Sequence, residues 1–160
     1  MLIKPHAGWC KIKIGVMELG TASYMTDVPM DLLNAFIQYL SENNCLNFGV
    51  QFDAEGYSFG LIEFNDTLYF IHNNTSESVP VLQEITPSLS ALCPDSSRNM
   101  IKRLARELYY DIEDYFEDWV YWKNDEKAMK PGDTEKRRLI LRDGLKTLKE
   151  KLNKAHKESW

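Results

Sequence analysis

The chain has 160 residues, 44% of them hydrophobic, with 19 Lys and Arg against 24 Asp and Glu for a net charge of −5. That length suits a single domain, residues 1–160, able to bury roughly 70% of its unfolded surface, and no apolar run approaches the roughly 18 residues of a membrane helix. The opening MLIKPHAGWC lacks the apolar core of a signal peptide, so a cytoplasmic protein with no membrane partner is expected.

Trp9 to Glu18 alternates Ile12, Ile14 and Val16 with Lys11, Lys13 and Gly15, the period of one half-buried strand. The turn-rich Gly20-Thr21-Ala22-Ser23 is expected to end it. Thr26 or Asp27 then caps a helix over 28–42, with Pro29 in its first turn and Leu32, Leu33, Phe36, Ile37 and Leu40 on one stripe. From Leu46 the period changes to 2 through Phe48, Val50 and Phe52. Asp53-Ala54-Glu55-Gly56 turns into a strand from Tyr57 to Phe64, and Asn65-Asp66 into another from Thr67 to His72. A fifth strand near Val79 to Ile85 is placed at an edge by Pro80.

From Ser96 to Asn124 the pattern predicts one long helix, with Ile101, Leu104, Leu108, Ile112, Tyr115, Phe116, Trp119 and Val120 inward. Lys130-Pro131-Gly132-Asp133 reads as a turn and cap. From Thr134 to Lys157, Leu141, Leu145, Leu148, Leu152 and Ala155 make a narrow seam suited to one partner helix. The expected fold is α+β: an antiparallel meander with one N-terminal helix packed on it, followed by a long C-terminal antiparallel helical hairpin. Helix 28–42 would cover one sheet face and the hairpin much of the other. The seam between the halves 1–94 and 95–160 falls at Pro87 to Asp95.

The charge is distributed unevenly between these halves. Residues 14 to 97 contain no Lys or Arg and eleven carboxylates, whereas residues 127 to 160 carry a net +6. Such an asymmetry builds a field that selects partners and speeds their approach. The long helix also carries Glu107, Asp111, Asp114, Asp118 and Asp125 within about 60° on a helical wheel, read as a solvated face whose like charges repel in preference to a divalent-metal catalytic stripe. Lys136, Arg137, Arg138, Arg142, Lys146 and Lys149 on the last helix are the expected compensators.

Familiar catalytic chemistry is absent from the motifs. There is no phosphate-binding Gly loop, no G-x-S-x-G and no H-E-x-x-H. Cys10, Cys45 and Cys93 form no C-x-x-C pair, and His6, His72 and His156 are too dispersed for two ligands from one element. Reduced thiols, no metal and no cofactor are therefore expected, and the chain is read as no enzyme. The basic last helix has no aromatic before Trp160 and the remainder of the chain repels phosphate, so no nucleic-acid partner is expected.

W-C-K-I-K-I-G-V from Trp9, S-Y-M-T-D-V-P-M-D-L-L-N-A-F from Ser23 and D-A-E-G-Y-S-F-G-L-I from Asp53 resemble the small cytoplasmic immunity proteins of bacterial polymorphic toxin systems. The resemblance covers about the first 70 residues. It implies a single-domain inhibitor that binds a cognate toxin and protects the producing cell. A basic nuclease cleft is the natural target of an acidic inhibitor, because such a cleft must hold phosphate. Asp53, Glu55, Tyr57, Glu63, Asp66 and Tyr69 around the meander turns are the expected contacts, carboxylates for steering and aromatics for affinity. The alternative is an oligomeric module, a homodimer through the helical hairpin, in which the acidic surface only solvates.

Overall fold

The computed structural model describes residues 1–41, 48–65, 67–74, 81–84, 96–122 and 131–157. Within them the fold is α+β. It has a two-stranded antiparallel sheet of β1 (Trp9–Ile14) and β2 (Met17–Ser23), and a four-stranded antiparallel sheet of β3 (Gly49–Ala54), β4 (Tyr57–Phe64), β5 (Thr67–Asn74) and β6 (Val81–Glu84). The helices are α1 (Val28–Ser41), α2 (Ser97–Asp114), α3 (Phe116–Val120) and α4 (Pro131–Lys157).

The first expected strand is in fact two. Ile14 pairs with Met17 across Gly15 and Val16, and Gly15 has φ of +57°, a left-handed conformation that glycine adopts at no steric cost. Val16 therefore lies at the tip, fully exposed, and Gly20 to Ser23 continue β2 where a turn was expected. Gly20 is where this hairpin meets the larger sheet, since a Cβ there would lie 3.0 Å from the Phe59 ring.

The meander follows the sequence order β3-β4-β5-β6, with β6 at the edge just after Pro80. Its inner face is built from Phe52, Phe59, Leu61 and Leu68, all but inaccessible to solvent. Phe36 of α1 stacks on Phe48 at 4.7 Å, which anchors the helix to the start of β3. Most of α1, however, packs on α4 and α2. Gly144 permits this approach, because a Cβ there would sit 3.1 Å from Leu33 Cδ1.

The C-terminal helices thus form a layer with α1, correcting the picture of a separate hairpin covering a second sheet face. Leu141, Leu145, Leu148 and Leu152 are buried inside the chain, so their seam is intramolecular. The long helix expected over 96–124 breaks at Tyr115, where φ is −123°. The break lets Trp119 and Trp122, 5.3 Å apart, both enter the core. Pro131 opens α4, as suits a residue whose missing N–H is not needed in a first helical turn.

One node joins the two halves. The side chains of both expected cap residues reach other elements: Thr26 Oγ1 accepts from the Asp53 amide at 2.7 Å, and Asp27, whose carbonyl accepts from the Asp31 amide at 2.9 Å, forms a bidentate pair with Arg137 of α4 at 2.5 and 2.8 Å. Arg137 Nε also donates to the Trp119 carbonyl at 3.2 Å, and Trp122 Nε1 to the Thr26 carbonyl at 3.3 Å.

Candidate functional site

Because strand residues alternate faces, the register of the meander decides which expected contact residues reach solvent. On β4, Tyr57, Phe59, Leu61 and Glu63 share a face, opposite Ala54, Phe52 and Val50 of β3 and beside His72, Phe70 and Leu68 of β5. This is the core face. The other face carries Gln51 and Asp53 of β3, Ile62 and Phe64 of β4, Tyr69 and Ile71 of β5, and Leu82 and Glu84 of β6.

Glu63 is therefore not a surface residue. It is 6% exposed, and Ser97 Oγ at the start of α2 donates to its Oε1 at 3.5 Å. Tyr57 is also committed internally: its hydroxyl donates to the Thr21 carbonyl at 2.7 Å, and its ring stacks on His72 at 5.8 Å. Both assignments could have been made from the sequence. Tyr57 and Glu63 have the same parity as Phe59 and Leu61, whose bulk and apolarity mark the buried side. His72 shares that face and lies among Tyr57 and Phe70.

Asp53, Glu55 and Tyr69 fare differently. Asp53 and Glu55 are exposed beside the β3–β4 turn, and Tyr69 is half-buried on the outer face. Asp66 lies outside the described residues. Across the outer face, one row pairs Ile62 with Tyr69 and Tyr69 with Glu84, and the next pairs Ile71 with Leu82. Asp53 occupies the opposite end of the sheet, paired through Ser58 with Asn73. The result is an apolar centre of Ile62, Tyr69, Ile71 and Leu82 with a carboxylate at each of two diagonal corners, about 14 Å apart across the strands. Phe64 and Leu82 are 53% and 59% exposed there. Ile62, Ile71 and Leu82 were not among the expected contacts, although their period-2 spacing opposite the core residues carries the signal.

This face carries no cation, since the sequence has no Lys or Arg from 14 to 97. The remaining acidity of that stretch is partly neutralised elsewhere. Glu18 pairs with Lys11 at 3.0 Å and Asp27 with Arg137. Beside the turn, the exposed Tyr24 and Met25 lie close to Asp53, because Ser23 Oγ donates to the Asp53 carbonyl at 3.4 Å.

The acidic stripe of α2 and α3 is compensated from an unexpected source. The N-terminal ammonium lies 2.5 Å from Asp111 Oδ2 and 3.6 Å from Glu107, the Leu2 amide donates to Asp111 at 2.7 Å, and Lys4 reaches Asp118 at 3.3 Å. Of the expected basic partners on α4, Arg138 holds Glu117 in a two-point contact and also pairs with Glu135. Its hydrogen bond keeps the Glu117 carboxyl below the ordinary range. No group of three or more His, Cys, Asp or Glu among the described residues is arranged to hold a metal ion.

No protein-family model, curated protein or solved structure matches the chain. No described helix is long and apolar enough to cross a membrane.

Proposed function

We propose that this protein is a non-enzymatic inhibitor, an immunity protein that docks the outer face of its four-stranded sheet on a basic toxin of the nuclease kind. The observation that carries this reading is the face itself: an apolar centre around Tyr69, carboxylates at its corners and no cation. Central aromatics in a rim of charge give affinity at the centre and steering at the edge. A nuclease cleft presents the complementary charge, because it must bind phosphate. The contact set is accordingly Asp53, Glu55 and Tyr69 with Ile62, Ile71, Leu82 and Glu84, and Glu63 and Tyr57 act from the core to shape the sheet. The inhibitor works in the cytoplasm of the cell that makes the toxin.

Co-expression with the basic C-terminal domain of a toxin encoded beside it tests the proposal. The wild-type chain is expected to restore growth, and the Asp53→Lys, Glu84→Lys double variant to restore it poorly while melting normally. Full protection by the charge-reversed chain would overturn the assignment of this face.

A further inference from the structure

A second surface carries the opposite charge. The antiparallel pairing of α2 with α4 leaves a cleft of about 470 Å³ between Phe116 and Lys149, which adjoins a second of about 370 Å³ ending at Asn153. Tyr109 and Lys149 line both. Four cations, Arg106, Arg142, Lys146 and Lys149, border the pair of clefts against the single carboxylate Glu113. In an acidic protein this grouping is unusual, and none of the four forms a salt bridge among the described residues, whereas Arg103, Arg137 and Arg138 all do. Glu113 itself accepts from the Tyr109 hydroxyl at 3.1 Å. Glu117, the carboxylate whose charge reaches Arg142, is taken by Arg138.

Two of the four cations are held in place by rings. Arg142 lies over Phe116 at 5.1 Å and Lys149 over Tyr109 at 5.3 Å. A ring face fixes the Arg142 guanidinium without satisfying its N–H donors, and the Lys149 ammonium, which also donates to the Tyr109 hydroxyl at 3.4 Å, keeps two of its three donors for an anion. Positions 142, 146 and 149 follow one face of α4 over about 10 Å of helix rise. Beyond Lys149 stands Tyr110, 64% exposed and edge-on to Tyr109 at 5.4 Å, which leaves an aromatic surface at the end of the cationic row.

From this arrangement we infer that the α2–α4 cleft binds a nucleoside polyphosphate, its phosphates along Arg142, Lys146 and Lys149 and its base against Tyr110. The combined space lies in the range of small-ligand sites. Aromatic stacking contributes sequence-tolerant affinity for any base, and phosphate favours guanidinium and ammonium donors in a row. This site is made of elements that the proposed toxin-binding face does not use, so either can stand without the other.

Calorimetric titration of the whole chain with ATP and, separately, with inorganic triphosphate tests the inference. ATP is expected to bind at about 100 μM or tighter at low salt. The Arg142→Ala, Lys146→Ala variant should weaken both ligands by roughly 30-fold or more, and Tyr110→Ala should weaken ATP by about fivefold while leaving triphosphate unchanged. Lys146 and Tyr110 are exposed and Arg142 covers the surface of Phe116, so melting curves will verify that these variants fold. No heat from either ligand at about 1 mM, or binding untouched by the double variant, would overturn the inference. Equal affinity for an acidic peptide of the same charge would overturn it too, because the base then contributes nothing.

Discussion

Replacing Arg137 by alanine breaks the node that joins α4 to the start of α1. The side chains of Arg137 and Asp27 are 14% and 23% exposed, and the guanidinium donates both to the carboxylate and to the Trp119 carbonyl. Exposed ion pairs contribute about 0 to 1 kcal/mol, and removing one partner of a fully buried pair costs about 3 to 5 kcal/mol. A pair mostly withdrawn from solvent falls between, so Arg137→Ala should cost about 2 to 3 kcal/mol, with Asp27 and the carbonyl left unpaired. For a chain of this size that is a fall in Tm of about 5 to 10 °C. Asp27→Asn and the double variant complete a cycle, in which a coupling of about 1.5 kcal/mol or more is expected. Thermal melting with urea titration as a second measure supplies the values. A single variant melting within about 1 °C of wild type, well below the shift that loss of a withdrawn pair implies, would refute the claim that this contact ties the halves together.

Three further outcomes follow from particular contacts. Gly60→Ala places a Cβ 2.5 Å from the Val50 carbonyl oxygen, so the strands must separate and urea stability should drop by about 1 to 3 kcal/mol. Asp111→Asn loses the carboxylate that the N-terminal ammonium and the Leu2 amide share; a cost of about 1 to 2 kcal/mol is expected, with faster proteolysis of the N-terminal segment as the local readout. Burial pushes the Cys10 thiol up to about 12 from an ordinary 9.0. In the native protein it should alkylate at pH 8 at least about 100-fold more slowly than in urea, mapped by mass spectrometry. The unfolded chain releases this proton first, so the contribution of Cys10 to stability is full below pH 9 and fades as pH rises toward 12.

Where local pattern and tertiary demand agree, the fold could be read from the residues. The strand from Tyr57 to Phe64 has the expected bounds, because the hairpin turns on either side leave a single register. The stripe Leu32, Leu33 and Phe36 is buried as its period requires. The break at Tyr115 is not legible, since the apolar period runs on through Trp119, and it is the burial of Trp119 and Trp122 together, one against the Asp111 carbonyl and the other against the Thr26 carbonyl, that accompanies the end of the helix. The compensation of Asp111 was hidden for a different reason: its partners are Met1 and Leu2, 110 and 109 residues away. Composition cannot announce a contact of that separation.

The candidate face shows the same division. Asp53 and Tyr69 follow from turn position and parity, and the acidic bias that singled them out persists on the outer face as an absence of cations. Glu63 departs from the expected surface set because charge alone carries no information about strand parity. Its neighbours Leu61 and Phe59 identify the side on which it lies, and a buried carboxylate there needs the Ser97 hydroxyl that arrives from α2.

The association rate of the chain with its basic partner, followed by stopped flow as a function of salt, bears most directly on the proposed toxin-binding face. It should fall by about tenfold or more between low and high ionic strength. Asp53→Lys should flatten that dependence, while Tyr69→Ala should leave the association rate nearly unchanged and speed dissociation by roughly 30-fold. An association rate independent of salt, or a complex indifferent to Tyr69, would contradict the account.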